Sequence, residues 1–145
     1  MSRYLSEMNL LLELPCISVS NIYFMETRPN MLFEGIFTKI NYCDEFFTMY
    51  GIYINIPVEI PQTLKPKIDT PLFSNLNKLE TDILTSYMKS KPTQKPKTII
   101  YKLTEFLQTK FTVCNNIIAG DKSNNLKISG IWENKNNEIG LSFKF

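Results

Sequence analysis

Residues 31–60 constrain the fold of this chain more than any other part of the sequence. Two apolar, aromatic-rich runs flank a polar tetrad at residues 41–44, a pattern that predicts a long β-hairpin. Because successive strand residues point to opposite faces, each run divides into two sets. The aliphatic set predicts the core face: Ile36, Ile40, Ile52, Ile54 and Ile56. The opposite face is aromatic with polar interruptions: Phe33, Phe37, Lys39, Phe47, Tyr53 and Asn55.

Each predicted arm of this hairpin contains one glycine, Gly35 in the first and Gly51 in the second. A glycine inside a strand costs backbone entropy and marks a bulge, a bend or a close approach. One in each arm indicates a strongly coiled hairpin, of the kind that closes a small barrel.

The segment before the hairpin contains one ambiguous stretch and one predicted strand. In residues 1–16 apolar side chains recur at helical spacing until Pro15, so this stretch is either a short helix or a flexible arm that docks on a neighbour. Residues 17–26 alternate as a strand does, and residues 27–30 have the composition of a turn.

The middle of the chain predicts two helices. Four prolines between residues 57 and 71 indicate an extended connection over the surface. Residues 73–89 then predict a helix with Ser74 as its N-cap. Its apolar stripe consists of Leu76, Leu79, Ile83, Leu84, Tyr87 and Met88. Residues 98–109 predict a second helix, although residues 99–101 could begin it as a strand.

The last third predicts a strand at residues 111–119 and a hairpin formed by residues 126–133 and 138–145. The element order β-β-β-α-α-β-β-β indicates an α+β fold with mostly antiparallel strands. Two architectures fit residues 17–145 as a single domain. One is a small Greek-key barrel of the oligonucleotide-binding (OB) type with two helices in its central connection, and the other is an antiparallel sheet covered by two helices.

Composition excludes several classes of function. With 145 residues, 43% of them hydrophobic, one domain with a buried core is expected. No apolar run reaches the roughly 18 residues of a membrane span, and the N-terminus makes a poor secretory signal. We therefore expect an intracellular protein, in the cytoplasm or nucleus, without a membrane partner.

The sequence contains no histidine and only three cysteines, without a C-x-x-C pair. These facts exclude His-dependent catalysis and predict reduced thiols rather than a metal site, and we expect no cofactor. The carboxylate pairs Glu80/Asp82 and Asp44/Glu45 are expected to be adjacent surface residues. We predict no catalytic residue and a protein that is not an enzyme.

Positive charge concentrates in the middle of the chain. Residues 62–110 contain nine lysines and four acidic residues, whereas residues 1–61 contain three basic and seven acidic residues. Four of the lysines lie in a proline-broken loop: Lys89, Lys91, Lys95 and Lys97. Such a loop could hold the phosphates that dominate nucleic-acid affinity, and the alternative is a loop kept solvated by its charge.

The aromatic face of the hairpin allows two interpretations. Phe33, Phe37, Phe47 and Tyr53 beside Lys39 could stack on single-stranded bases. Alternatively, the helices or a protein partner cover this face. Trp132 shares its predicted face with Leu126 and Ile128, so it is assigned to the core.

Two segments carry a resemblance to a known group of proteins. The run of residues 37–53 and the hairpin of residues 129–145 are similar in glycine, aromatic and lysine spacing to hairpins of small proteins from nucleocytoplasmic large DNA viruses. These are OB-like single-stranded DNA-binding or virion-associated proteins. The resemblance covers about a third of the chain and implies an OB-like fold and nucleic-acid or virion contacts.

Two functions follow as hypotheses. The first is non-catalytic binding of single-stranded nucleic acid, DNA or RNA, through the hairpin aromatics and the central lysines. The second is a structural or adaptor role, as a virion component or a subunit of a larger complex. In that role the aromatic face contacts protein, and the N-terminal arm binds a partner or a second copy of the chain.

Overall fold

The structure is a computed structural model that describes residues 4–6, 9–30, 34–58, 67–91, 95–114 and 122–145. In these ranges two α-helices form, α1 at Thr70–Lys89 and α2 at Lys102–Lys110. The strands are β1 (Tyr4–Ser6), β2 (Asn9–Glu13), β3 (Ile22–Pro29), β4 (Gly35–Cys43), β5 (Thr48–Met49), β6 (Ile52–Val58), β7 (Lys67–Asp69), β8 (Thr98–Ile99), β9 (Thr112–Cys114), β10 (Lys122–Asn134) and β11 (Glu138–Lys144).

Strand β10 is the centre of the sheet because it has partners on both edges. On one edge its first half pairs with β6 and its second half with β4, both antiparallel. On the other edge it pairs with β11. β3 extends the sheet beyond β4, β2 and β1 extend it beyond β6, and β8 lies beside β11. Because β6 and β4 lie end to end along one edge of β10, the sheet curls into a half-barrel. This curled sheet and the two helices confirm the predicted α+β class.

The long hairpin predicted for residues 31–60 is wrong in its pairing. Within residues 34–58, the described part of the hairpin, only two residue pairs join its arms, Tyr42 with Met49 and Cys43 with Thr48. Gly51 then turns the chain at φ +123°, a backbone conformation that side-chain-bearing residues rarely adopt. The second arm, β6, leaves β4 and pairs with β10 and β2 instead.

The predicted core face of the two arms is confirmed. Ile40, Ile52, Ile54 and Ile56 are fully buried, and Ile36 is half-buried. The apolar stripe of α1 packs into the same core, which places α1 on the inner face of the sheet. We call the opposite side of the sheet the outer face.

A β-bulge at Ser129 overturns the predicted position of Trp132. Ile128 pairs with Phe143 and Gly130 with Ser142, so Ser129 is an extra residue in β10. An extra residue moves every later side chain to the other face. Leu126 and Ile128 point into the core before the bulge, and Ile131 and Glu133 do so after it. Trp132 therefore lies on the outer face, half-buried.

A side-chain carboxylate accepts hydrogen bonds from backbone amides at the N-terminus of each helix. Asp69, rather than Ser74, caps α1 by accepting a hydrogen bond from the Leu72 amide at 2.7 Å. For α2 the cap comes from α1. The buried Glu80 accepts hydrogen bonds from the Leu103 amide at 2.8 Å and the Thr104 amide at 3.0 Å. An anionic acceptor at a helix N-terminus satisfies free amides and opposes the positive end of the dipole.

The N-terminal residues form strands where a helix or arm was expected. Asn9–Glu13 is β2, and Leu12 is 2% exposed in the core. The next strand starts later than predicted, at Ile22, and runs through the predicted turn to Pro29. Residues 59–66, in the predicted proline-rich connection, and residues 115–119, in the predicted strand, lie outside the described residues. In the described ranges, neither helix combines the length and hydropathy needed to cross a bilayer.

Candidate nucleic-acid interface

The outer face carries a row of side chains that crosses four strands. Register places Arg28 of β3 opposite Phe37 of β4, Phe37 opposite Trp132 of β10, and Trp132 opposite Gly140 of β11. Directly opposite residues of an antiparallel pair share a face, with Cβ atoms about 5 Å apart. One cation and two aromatic rings thus lie side by side over this part of the sheet.

Both rings of this row lie close to the backbone of a neighbouring strand. A Cβ atom added to Gly140 would sit 2.6 Å from Cε2 and 2.8 Å from Nε1 of Trp132. One added to Gly130 would sit 2.5 Å from Cζ and 3.0 Å from Cε1 of Phe37. Each ring therefore covers a glycine of a neighbouring strand, which allows it to lie low over the sheet.

A second row of the outer face combines a tyrosine with two lysines. Tyr53 of β6 lies opposite Lys127 of β10, which lies opposite Lys144 of β11. The Lys127 Nζ atom is 5.3 Å from the centroid of the Tyr53 ring. Between the two rows, Lys39 of β4 is exposed and its Nζ lies 6.0 Å from the ring of Tyr50. These distances are in the range of cation–π contacts.

Cations outnumber acids on this face. Four basic residues are carried by its strands, Arg28, Lys39, Lys127 and Lys144. A fifth, Lys102 at the start of α2, places its Nζ 5.8 Å from the Trp132 ring. Three acidic residues lie on or beside the face: the exposed Glu26 beside Lys39, the exposed Glu13 of β2 opposite Asn55, and Glu138, which accepts a hydrogen bond from Asn134 at 2.8 Å. Alternating aromatic rings and cations are what a strand of bases and phosphates requires.

The structure brings together three of the predicted site residues, Phe37, Lys39 and Tyr53, on the outer face. Phe47 lies elsewhere, at the turn after β4, where its ring stacks on the buried Tyr42 with centroids 6.1 Å apart. Phe33 lies outside the described residues.

The four lysines of the predicted loop take two different kinds of position. Lys89 and Lys95 are exposed, at the end of α1 and beyond it. Lys91 and Lys97 instead enter a polar network on the inner face of the sheet. The Lys91 Nζ donates to the hydroxyls of Tyr87 and Thr27, each at 2.9 Å. Closeness in sequence therefore does not place these four lysines on the aromatic surface.

The inner network is centred on the hydroxyl of Tyr87, which is 1% exposed. This hydroxyl donates to the buried carboxylate of Glu133 and shares a hydrogen bond of 3.1 Å with Thr38. The Lys97 Nζ lies 3.2 Å from the other carboxylate oxygen of Glu133. Burial, reinforced by the bond to Glu133, raises the pKa of the Tyr87 phenol above its ordinary value. Thr38 and Glu133 belong to β4 and β10, so the network lies directly beneath Phe37 and Trp132.

Sequence reasoning missed several members of the outer face. Lys127 and Lys144 alternate with buried residues in β10 and β11, so the strand pattern alone could have assigned them to this face. Trp132 is not assigned in this way, because the bulge at Ser129 moves it to the other face. Gly130, inside the predicted strand, is the local signal that could have indicated this bulge. Arg28 lies in a segment predicted to be a turn.

The carboxylate pairs considered for catalysis have other roles or neighbours. Glu80 is fully buried on the α2 amides, which corrects its predicted surface position. Asp82 forms an ion pair with Lys78 at 2.7 Å. Asp44 accepts hydrogen bonds from the amides of Phe46 and Phe47 and so shapes the turn. The part of the chain that the structure describes contains no group of three acidic or cysteine side chains that could hold a metal ion.

Comparison of the chain with protein-family models, curated proteins and solved structures gave no match. Function is therefore inferred from the geometry of the outer face.

Proposed function

We propose that the protein binds single-stranded nucleic acid, without catalysis, on the outer face of its sheet. The observation that carries this proposal is the interleaving of cations and rings across β3, β4, β6, β10 and β11. Phe37 and Tyr53 supply planar surfaces, and Lys39 and Lys127 supply charge beside them.

Stacking and charge would act on different parts of the ligand. An aromatic ring that covers backbone directs its other side away from the sheet, where it can stack on a base. Lysine and arginine side chains beside the rings attract the phosphates and release the counterions of the strand. Neither contact reads sequence strongly, so we expect broad specificity across most of the face.

A single strand fits this surface better than a duplex does. Bases in a duplex are stacked on one another, and their flat faces are not accessible to a protein ring. A curled sheet with rings lying low over its surface also lacks the protruding helix that enters a major groove. We therefore infer unpaired DNA or RNA as the ligand class.

A titration with a labelled oligo-dT or oligo-U, followed by fluorescence anisotropy at low and moderate salt, tests the proposal. We expect binding by the intact chain that weakens steeply with salt. Replacing Phe37→Ala or Tyr53→Ala is expected to cost about 1–3 kcal/mol each, or roughly 5-fold to 150-fold in Kd.

Phe73→Ala provides the matched control, because it removes a half-buried ring from α1 on the other side of the sheet. It should leave the Kd unchanged while circular dichroism shows that all three variants keep their fold. Absence of binding by the intact chain at low salt would overturn the proposal and favour a protein partner for the same face.

A further inference from the structure

Two exposed tyrosines lie at the border of the interface, and the stacking proposed above involves neither of them. Tyr23 of β3 is 50% exposed and Tyr50, just after β5, is 67% exposed. Asn41 of β4 lies between them. Register pairs Tyr23 directly with Asn41, and because Tyr42 pairs with Met49, the next residue, Tyr50, lies opposite Asn41 on the other side. We call these three residues the tyrosine slot.

All three side chains of the slot point outward. The neighbours of Asn41 in β4, Ile40 and Tyr42, are buried in the core, so Asn41 occupies the outer face. Met49 is buried in the same way before Tyr50. The Lys39 Nζ lies near the Tyr50 ring, which places this ring over the outer face of β4.

The spacing of the slot suits a flat ligand. Two steps between neighbouring strands separate the tyrosine backbones by about 9.6 Å. A planar ring between two others needs outer planes about 7–8 Å apart, since carbon atoms pack at about 3.5–4 Å. Tyrosines that lean slightly towards each other can therefore hold one aromatic ring between them, above Asn41.

The amide of Asn41 is poorly satisfied without a ligand. Among the residues that the structure describes, its Nδ2 donates to the sulfur of Met25 alone, a weak acceptor, at 3.3 Å. Its Oδ1 has no solvent exposure and no hydrogen-bond partner among the described residues. Buried polar atoms of this kind are uncommon and costly. Met25 has a flexible thioether chain at the surface and can move aside to open the amide to a ligand.

We infer that the tyrosine slot binds one adenine base of the single strand, clamped between Tyr23 and Tyr50 and recognised by Asn41. This inference rests on the proposed function and adds a position of base preference to it. An asparagine amide pairs with adenine in two hydrogen bonds, in which Oδ1 accepts from the N6 amino group and Nδ2 donates to a ring nitrogen. Thymine lacks an exocyclic amino group, and the purine offers a larger area to both tyrosines.

The test compares a labelled oligo-dT with the same oligo-dT carrying one central dA. We expect the intact protein to bind the dA-containing strand roughly 5-fold to 150-fold more tightly. Tyr23→Ala and Tyr50→Ala should each reduce this ratio. Asn41→Asp, which replaces the amide donor with a second acceptor, should bring the ratio close to one.

Asn55→Asp is the matched control, because Asn55 is another half-buried asparagine on the outer face and the charge change is the same. It should weaken both oligonucleotides equally and keep the ratio. If the intact protein and Asn41→Asp each bind the two oligonucleotides with nearly equal affinity, the tyrosine slot does not recognise adenine, while the proposed function stands. If neither binds, the proposed function itself fails.

Discussion

The Trp132 ring lies directly over Gly140, the residue opposite it on the neighbouring strand. A methyl group at this position would meet the indole nitrogen at 2.8 Å, well inside van der Waals contact. We expect Gly140→Ala to displace the ring and to lower the free energy of unfolding by about 1–3 kcal/mol. Trp132 is the single tryptophan of the chain, so its emission reports the displacement directly. Ser142→Ala, two residues further along the same face, should leave the emission unchanged.

Removal of the Tyr87 hydroxyl should destabilise the fold without affecting the outer surface. Tyr87→Phe leaves Glu133, Lys91 and Thr38 with one partner fewer in a buried setting. We expect a loss of about 1–3 kcal/mol in urea unfolding. Tyr101→Phe changes an exposed hydroxyl and serves as the control. Equal stability of the two variants would show that the hydrogen bonds of the Tyr87 hydroxyl make no net contribution to the free energy of unfolding.

Stability should also fall at high pH because of Tyr87. The folded protein raises the pKa of this phenol, so above about pH 10 the unfolded chain loses a proton that the folded chain keeps. The stabilising contribution is complete below the unfolded pKa and is lost as the pH rises through the folded pKa. The slope is at most about 1.4 kcal/mol per pH unit for one proton. Urea unfolding from pH 8 to 11 should show a steeper decline for the intact protein than for Tyr87→Phe, and parallel curves would contradict the assignment.

Glu80 is expected to hold the start of α2 in place. Glu80→Gln removes the negative charge and leaves one acceptor oxygen for the amides of Leu103 and Thr104. We expect a loss of about 1–2 kcal/mol, with faster hydrogen exchange at these two amides than in α1. The matched variant is Glu105→Gln, an exposed change on α2 itself. Unchanged exchange at Leu103 in Glu80→Gln would rule out the capping role.

Removal of an acid beside the interface should strengthen nucleic-acid binding. Glu26 and Met25 together occupy the place opposite Lys39, since Phe24 pairs with Ile40 and Thr27 with Thr38. Glu26→Gln removes one repulsive charge, and we expect about a 2-fold to 5-fold lower Kd for oligo-dT at low salt, with little effect at high salt. The same substitution at Glu105 should have no such effect. A weaker complex after Glu26→Gln would indicate that this carboxylate contacts the ligand favourably.

Sequence reasoning identified which faces are buried better than it identified which strands pair. The alternation in β4 and β6 and the stripe of α1 depend on local periodicity, and these assignments of core residues are confirmed. The partner of β6 depends on the turn at Gly51 and on β10, which lies about 70 residues further along the chain. Alternation cannot reveal such a distant partner.

The sequence predicts only part of the candidate site, because local alternation assigns faces and does not reveal bulges or distant contacts. Phe37, Lys39 and Tyr53 share a face because their strands keep a regular pleat. Trp132 was assigned to the core because one extra residue, Ser129, reverses the alternation after it. Lys91 turns inward because Tyr87 and the distant Thr27 offer it oxygen acceptors, a contact that no run of neighbouring residues encodes.

The most direct test of the outer face is a pair of double substitutions with the same change in net charge. Lys39→Gln with Lys127→Gln removes two cations from the outer face, and Lys78→Gln with Lys89→Gln removes two exposed lysines from α1, on the inner side of the sheet. The dependence of log Kd for oligo-dT on log salt should lose about 1.4 in slope for the first variant, because each phosphate contact contributes about 0.7. The second variant should keep the slope and affinity of the intact protein. Equal losses in both variants would show that only net charge matters and would contradict binding on the outer face.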